Sequence, residues 1–356
     1  MRERAASRWH VSGRLGVLGL GVLLITLSSC EVLTGPDIVV EPVDLELDAD
    51  EAARPDSPDL AGVATRLLSP GADPRETLRY TFELGTPERS TLTFRDQSSG
   101  TDYDGSRTQG SDSIELDVII TSRRKKGPHL VEFEAKLLDV TVEVRGPVGA
   151  SAEAEATADA LRGGTGQGQF SNRGQGTNIA PRLSRIPNRM AAYRVKGIWE
   201  SIETLPIPLP LEPVGVGAQW EVTDTFENVG VTTTRTRTFT LTALEGGVGT
   251  VDIKEAGLAE NQSFKVARLP KGTTVEMVRY ESSGSSTAEF DLSRISPVRV
   301  VEESSSSAHV IATLPEHGEK HSRSSGAASW TVSRVHDGQP SGAPATSPAS
   351  DPRTTQ

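Results

Sequence analysis

The sequence predicts a mainly β protein of the α+β class, in which two antiparallel curved sheets, or half-barrels, lie in tandem around one central amphipathic helix. Apolar side chains alternate with polar ones in many short segments, as at Ile114, Leu116 and Val118, and this period is typical of half-buried strands. Short polar turns such as Gly246-Gly247 separate the segments, which favours antiparallel hairpins over βαβ units. A single segment has the periodicity of a helix.

About a dozen strands are predicted from this alternation. In the N-terminal half, alternating apolar side chains lie at Leu78–Leu84, Leu92–Phe94, Ile114–Val118 and Val131–Leu137. In the C-terminal half, further strands are expected between Trp220 and Val332. One of them carries threonines at every second position from Thr232 to Thr242, which we interpret as a solvent face, with Val231, Phe239 and Leu241 on the core side.

The helix is predicted between Asn188 and Thr204. Its apolar positions fall on one face, and prolines at both ends suit a helix start and a helix stop. We expect it to close the core by lying across the concave side of a sheet. If it is instead a lid over a ligand cavity, the candidate ligand-binding residues are Ile198, Trp199 and Ile202. A helix that docks on a membrane surface or a partner is a further alternative.

The N-terminus has the layout of an exported precursor. Arginines precede an uncharged stretch from Leu15 to Leu27, which is too short to span a bilayer and ends at Leu27-Ser28-Ser29-Cys30. This tetrapeptide resembles the lipobox of bacterial lipoproteins, and the resemblance implies cleavage before Cys30 and lipidation of its thiol. We therefore expect a lipid-anchored protein of the bacterial cell envelope, facing the periplasm or the surface. The outer membrane is favoured, since Glu31 differs from the Asp of some inner-membrane retention signals.

Composition divides the chain further. At 35% hydrophobic and 4% aromatic residues, with 34 Gly and 22 Pro, part of the chain is expected to lie outside any core. The predicted organisation is a signal peptide (1–29), the lipidated cysteine with a flexible tether (30–75), an N-terminal β region (76–146), a Gly-rich linker or long loop (147–186), the helix with a C-terminal β region (187–336) and a disordered tail (337–356).

A motif follows the predicted helix at Glu212-Pro-Val-Gly-Val-Gly-Ala-Gln-Trp220. Together with the strand Thr287–Ser293, it resembles a family of uncharacterised bacterial exported proteins and lipoproteins, over roughly residues 76–335. Ser286 stands where that family usually has Gly. The resemblance implies export and a β-rich fold, but no chemistry. We interpret the motif as structural, with a proline and two glycines shaping the turn and Trp220 anchoring the next strand.

Charge excludes some partners. Residues 1–29 contain four arginines and one glutamate, so their removal takes the net charge from -11 to -14. Such an acidic chain is a poor candidate for nucleic acid or for electrostatic docking on anionic lipid. Because Cys30 is the only cysteine, no internal disulfide is possible. The predicted partner is the membrane, through the lipid on Cys30, with a protein or apolar ligand as a further possibility.

Patterns that carry chemistry are weak. His317 and His321 have a spacing that binds zinc on a helix, but Pro315 and Gly318 predict a turn, and we predict no metal site. Ser122-Arg-Arg-Lys125 matches a penicillin-recognising pattern that needs a helix start, whereas this segment is expected at a hairpin tip. We predict no catalytic residues and no cofactor. A non-catalytic binding or structural module is favoured, with a lipid or apolar-ligand carrier and an envelope hydrolase as alternatives.

Overall fold

The strands of both predicted β regions pair into a single antiparallel sheet. The computed structural model describes residues 63–101, 105–145, 150–182, 189–228, 230–264, 272–315 and 317–335. Side chains are described for all of these except 150–153, 177–178, 189–193 and 227–228. The predicted signal peptide, Cys30, the first part of the predicted tether and the tail from 337 lie outside the described residues.

The described strands are β1 (Val63–Ser69), β2 (Pro87–Thr101), β3 (Arg107–Lys126), β4 (Leu130–Arg145), β5 (Thr165–Ser171), β6 (Gly176–Arg182), β7 (Gln219–Asn228), β8 (Val231–Glu245), β9 (Val248–Phe264), β10 (Thr274–Asp291), β11 (Arg299–Leu314) and β12 (Gly318–Arg334). Two helices are described, α1 (Ala150–Leu161) and α2 (Arg189–Glu203). Neither of them combines the length and apolarity needed to cross a bilayer.

The strand order in the sheet is β1-β7-β8-β9-β10-β11-β12-β2-β3-β4-β5-β6. Two meanders, β2 to β6 and β7 to β12, are joined where β12 pairs with β2, from Arg323 opposite Thr101 to Arg334 opposite Ser90. The mainly β, antiparallel prediction is confirmed. The two predicted sheets are continuous with each other through this ladder rather than separate.

The folded part begins earlier than predicted. β1 lies inside the segment assigned to the tether, and it pairs with β7, with Val63 opposite Asp224. The segment Leu78–Leu84, predicted as a strand, joins no ladder among the described residues. Its Thr81 N–H donates to the Leu292 carbonyl at 2.7 Å. Leu78 is buried, whereas Leu84 is 47% exposed. Alternation predicted its burial but not its partners.

The predicted Gly-rich linker contains α1, β5 and β6, so the linker prediction is wrong for the described residues 150–182. Its glycines allow close packing. A Cβ added at Gly166 would lie 2.6 Å from Trp199 Cζ3, and one at Gly168 would lie 2.9 Å from Phe133 Cε1. Leu161 and Phe170 are fully buried. The glycines at 166 and 168 thus leave room for aromatic rings close to the backbone rather than marking a flexible chain.

Two apolar clusters lie on the same face of the sheet. The larger contains α2 and side chains from both meanders, including Leu92, Leu116, Trp220 and Phe290, so the two β regions share one core. The smaller contains residues near the other ends of β8 to β11, such as Met277 and Val310, and the alternation along β11 from Val300 to Val310 puts both clusters on one face. Polar residues separate them.

Candidate functional site

The predicted ligand-binding face of the helix is buried. Ile198 is 4% exposed, Trp199 2% and Ile202 0%. The burial does not stop at this face, since Arg194 and Glu200 are buried as well. A lid would expose a whole side to solvent, whereas α2 contacts α1, β5 and β6 and, among its side chains described from Arg194 to Ile202, leaves only Lys196 partly exposed. The structure therefore brings these three residues together as core.

A network of charged residues lies beside the core, between the two apolar clusters. We call it the charge belt: Asp224 on β7, Arg235 and Arg237 on β8, Glu255 on β9 and Glu302 on β11. Strand register brings it together, because Asp224 lies directly opposite Arg235 and Arg237 lies directly opposite Glu255.

Asp224 holds the two arginines. Arg235 donates from Nε and Nη2 to the two carboxylate oxygens of Asp224, at 2.9 and 2.7 Å, and Arg237 Nη2 donates to one of the same oxygens at 3.1 Å. The side chains of Asp224 and Arg235 are only 2% and 5% exposed. A bidentate pair of this kind gives a fixed geometry as well as charge neutralisation.

The remaining carboxyl groups of the belt bind protons more readily than free ones. Burial, reinforced by the neighbouring charge of Glu255, raises the pKa of Glu302 to about 8. Burial also raises the pKa of Glu255, against the opposing effect of Arg235, whose Nη1 lies 4.0 Å from the carboxylate. Near neutral pH Glu302 is therefore largely protonated, and Asp224 is the carboxylate that pairs with both arginines.

Two small cavities adjoin the belt. One of about 40 Å³ is lined by Glu255, Glu302 and Trp330 and by the chain after α2, and one of about 30 Å³ is lined by Asp224 and Arg237. The indole N–H of Trp330 and the Nε–H of Arg237 are buried, with no hydrogen-bond partner among the described residues. Spaces of this size and polarity accommodate a few water molecules and are far below the volume of a ligand pocket.

Sequence reasoning missed the belt, although the signal was present. Arg235 and Arg237 have the same strand parity as Val231 and Phe239, which were assigned to the core side. The threonines of β8 do lie on the other, more exposed face, as predicted. If the same alternation is applied to the arginines, it predicts two cations on the core side of β8. Cations on that side require carboxylates on the neighbouring strands.

The Glu212–Trp220 motif makes structural contacts. A Cβ at Gly215 would lie 1.9 Å from the carbonyl oxygen of Ala72, and Gly217 has a positive φ of 86°. Trp220 is fully buried and its indole N–H donates to the Pro208 carbonyl at 2.8 Å. Through these contacts the motif holds the segment between β1 and β2, at Ala72, close to the segment that follows α2, at Pro208.

The remaining chemical patterns do not form sites among the described side chains. His317 lies in the turn before β12 and His321 within that strand, where its Nδ1 is 3.1 Å from Nε2 of His309. No group of three or more potential metal-ligating side chains is present in the described part. Ser122 is fully buried in β3, whereas Lys125 is exposed, so the two do not meet at a helix start.

Comparison with protein-family models gives no match, and neither does comparison with curated proteins. Among solved structures, the chain is similar to an outer membrane channel from Pseudomonas putida F1, at 8% identity over 71% of this chain and 97% of that one, with a TM-score of 0.22. It is similar to OmpF of Salmonella typhi, at 10% identity over 68% and 97%, with a TM-score of 0.21. The β domain of the Bordetella autotransporter BrkA matches at 8% identity over 70% and 99%, with a TM-score of 0.20. Scores this low support no conclusion about function.

Proposed function

We propose that this protein is a lipoprotein of the bacterial cell envelope, anchored through Cys30, and that its folded part is a non-catalytic binding or structural module. The basic N-terminus, the apolar stretch and the Leu-Ser-Ser-Cys sequence support the anchor. The outer membrane is the favoured location, because Glu31 follows the cysteine. The Glu212–Trp220 motif supports membership of the exported family that it resembles.

One structural observation carries the choice of a non-catalytic module. Between Arg194 and Ile202 every side chain of α2 except that of Lys196 is buried, and the two cavities beside the helix measure about 40 and 30 Å³. A carrier of lipids or small apolar ligands needs several hundred Å³ of mostly apolar space. The interior of the sheet is occupied by the protein's own side chains, which favours a rigid module over a carrier.

The carboxyl groups with raised pKa values also fit a structural role better than hydrolysis. Glu255 and Glu302 face two arginines and cavities of water size, so a substrate has no room beside them. Perturbed pKa values accompany active sites, but buried ion-pair networks produce them as well. Ser122 is buried and therefore does not support an envelope hydrolase.

The anchor is tested by replacing Cys30 with Ser in the full chain, with Ser28→Ala as a matched control that keeps the thiol. Wild type and control should partition into the detergent phase, and Cys30→Ser should be exported and remain in the aqueous phase. Identical partitioning and migration of Cys30→Ser and wild type would refute the anchor.

The module is tested by native mass spectrometry of the full chain extracted in detergent. We expect the mass of the lipidated polypeptide alone. An additional apolar molecule bound at a one-to-one ratio would contradict the proposal and favour the carrier.

A further inference from the structure

A row of cationic side chains crosses the outer face of the sheet near one end. Arg279 on β10 lies opposite His309 on β11, which lies opposite Arg323 on β12. The row continues through Thr101 on β2 to Arg107 on β3. We call Arg279, His309, Arg323 and Arg107 the cation row.

Such a row is unfavourable by itself. Its three arginines follow one another at two strand spacings, about 10 Å, with His309 and Thr101 between them, and they repel one another across the exposed face. Arg279 is neutralised by ion pairs with Glu260 and Glu281. Arg107 and Arg323, in contrast, have no ion-pair partner within the described part of the chain. An anion lying across the row would remove this repulsion.

A second row, of hydrogen-bonding side chains, lies next to the first. Ser307 is opposite Ser325, Ser325 is opposite Ser99, and Ser99 is opposite Gln109. The Oγ atoms of Ser99 and Ser325 are 3.4 Å apart. Each of these residues lies two positions along its strand from the first row, on the same face of the sheet. The two rows therefore offer charges and hydrogen-bond donors to one ligand.

The two rows line a groove of about 750 Å³. Its lining includes Arg107, Arg279, His309 and Arg323, and no carboxylate belongs to the lining side chains that the structure describes. This volume lies within the range of small-molecule sites. The lining of the groove is positively charged, although the net charge of the whole chain is -11.

His309 adds a group that can respond to an anion. Its ring is stacked on that of His321, with centroids 5.4 Å apart. Partial burial, together with the nearby Arg323 and His321, lowers the pKa of His309. A bound anion would counter the effect of these neighbours and favour the protonated, doubly donating form of the ring.

We propose that this groove binds a small ligand carrying two or more phosphate groups. Arg107 and Arg323 contact separate phosphates, since two strand spacings, about 10 Å, separate them. The row of Ser99, Ser325 and Ser307 donates hydrogen bonds to the oxygens between. The proposal goes beyond the proposed function, which names no ligand, and it does not depend on the lipid anchor.

The test is calorimetric titration of the full chain, in uncharged detergent at low salt, with sodium tripolyphosphate. The Arg107→Gln/Arg323→Gln double variant should bind at least tenfold more weakly than wild type. Arg95→Gln/Arg299→Gln is the matched control, because it removes two exposed arginines of the same face outside the groove and should change binding less than twofold. Absence of wild-type binding, or an equal loss in the control, would overturn the proposal.

Two further titrations identify the ligand class. Inorganic phosphate should bind more than tenfold more weakly than tripolyphosphate, because it reaches only one arginine at a time. Micelles doped with phosphatidylglycerol should not displace tripolyphosphate. Arginine-dependent binding of these micelles without binding of tripolyphosphate would overturn the small-ligand proposal in favour of a lipid surface. Thermal melting of the double variant at the wild-type temperature shows that it is folded.

Discussion

Truncation of Trp199 to alanine tests whether α2 fills the core. The indole is 2% exposed. Its removal takes away about 200 Å² of buried surface, worth about 5 kcal/mol at about 25 cal/mol per Å². The indole N–H has no hydrogen-bond partner among the described residues, so its loss recovers about 1 kcal/mol. We therefore expect Trp199→Ala to lower the free energy of unfolding by about 4 kcal/mol, within the usual range for buried tryptophan.

Gly166 makes this prediction more specific. A Cβ at position 166 would lie 2.6 Å from Cζ3 and 2.9 Å from Cε3 of Trp199. Gly166→Ala should therefore cost about 1–3 kcal/mol in the wild type through overpacking. In the Trp199→Ala background the added methyl fills part of the cavity, so the same substitution should cost much less.

The assay is equilibrium urea unfolding of wild type, both single variants and the double variant. Leu84→Ala serves as the control, since Leu84 is 47% exposed and its truncation should change stability by less than about 1 kcal/mol. If α2 were a mobile lid, Trp199→Ala would leave stability nearly unchanged and the two substitutions would be additive. Either result would refute the core-filling interpretation.

Two further predictions concern buried carboxyl groups. Asp224→Asn removes the shared partner of the buried Arg235 and the partly buried Arg237 and should cost about 3–5 kcal/mol in urea unfolding, whereas the exposed Glu303→Gln should cost little; equal effects would contradict a structural charge belt. Burial raises the pKa of Glu200 to about 8. Between about pH 4.5 and 8 the folded state therefore keeps a proton that the unfolded state releases, and the free energy of unfolding should fall as pH rises through this range. Glu200→Gln should reduce that fall in the urea midpoint, and an unchanged pH dependence would contradict the assignment.

The hairpins were the most predictable part of the fold. Period-two alternation corresponds to β3 and β4, although the Ser122–Lys125 segment expected at the hairpin tip lies within β3, which ends at Lys126 before β4 begins at Leu130. The helix was predicted almost to the residue, between Arg189 and Glu203. These elements depend on local periodicity, which a single sequence displays.

The errors came from long-range pairing. Val63–Ser69 has little alternation of its own, and its strand exists because β7 offers an unpaired edge. The glycines at 166 and 168 were interpreted as flexibility, but their requirement is set by Trp199 and Phe133, which are distant in sequence. The continuity of the sheet depends on β12 pairing with β2, and no local pattern encodes that contact.

The charge belt favours one pairing register for these long strands, which their surface residues alone do not specify. The middle segments of β10 and β11, at Ser282–Ser286 and Ser304–Ser307, are almost entirely serine, and such segments specify their pairing weakly. A shift of one residue between β7 and β8 would turn Arg235 and Arg237 outward and bury threonines in their place. A shift of two residues would put Thr233 opposite Asp224 in one direction, and in the other would put Arg237 there and leave Arg235 without its bidentate partner.

We infer that the belt selects the native register at some cost in stability, as buried polar groups do in other folds. Replacing all five residues of the charge belt together with apolar residues, so that no carboxyl group is left without a cation, should then keep or raise the stability but lose uniqueness. Amide hydrogen exchange would measure this as weakened protection along β7 to β9 at an unchanged or higher urea midpoint. Protection as strong as in the wild type would show that the apolar clusters alone fix the register.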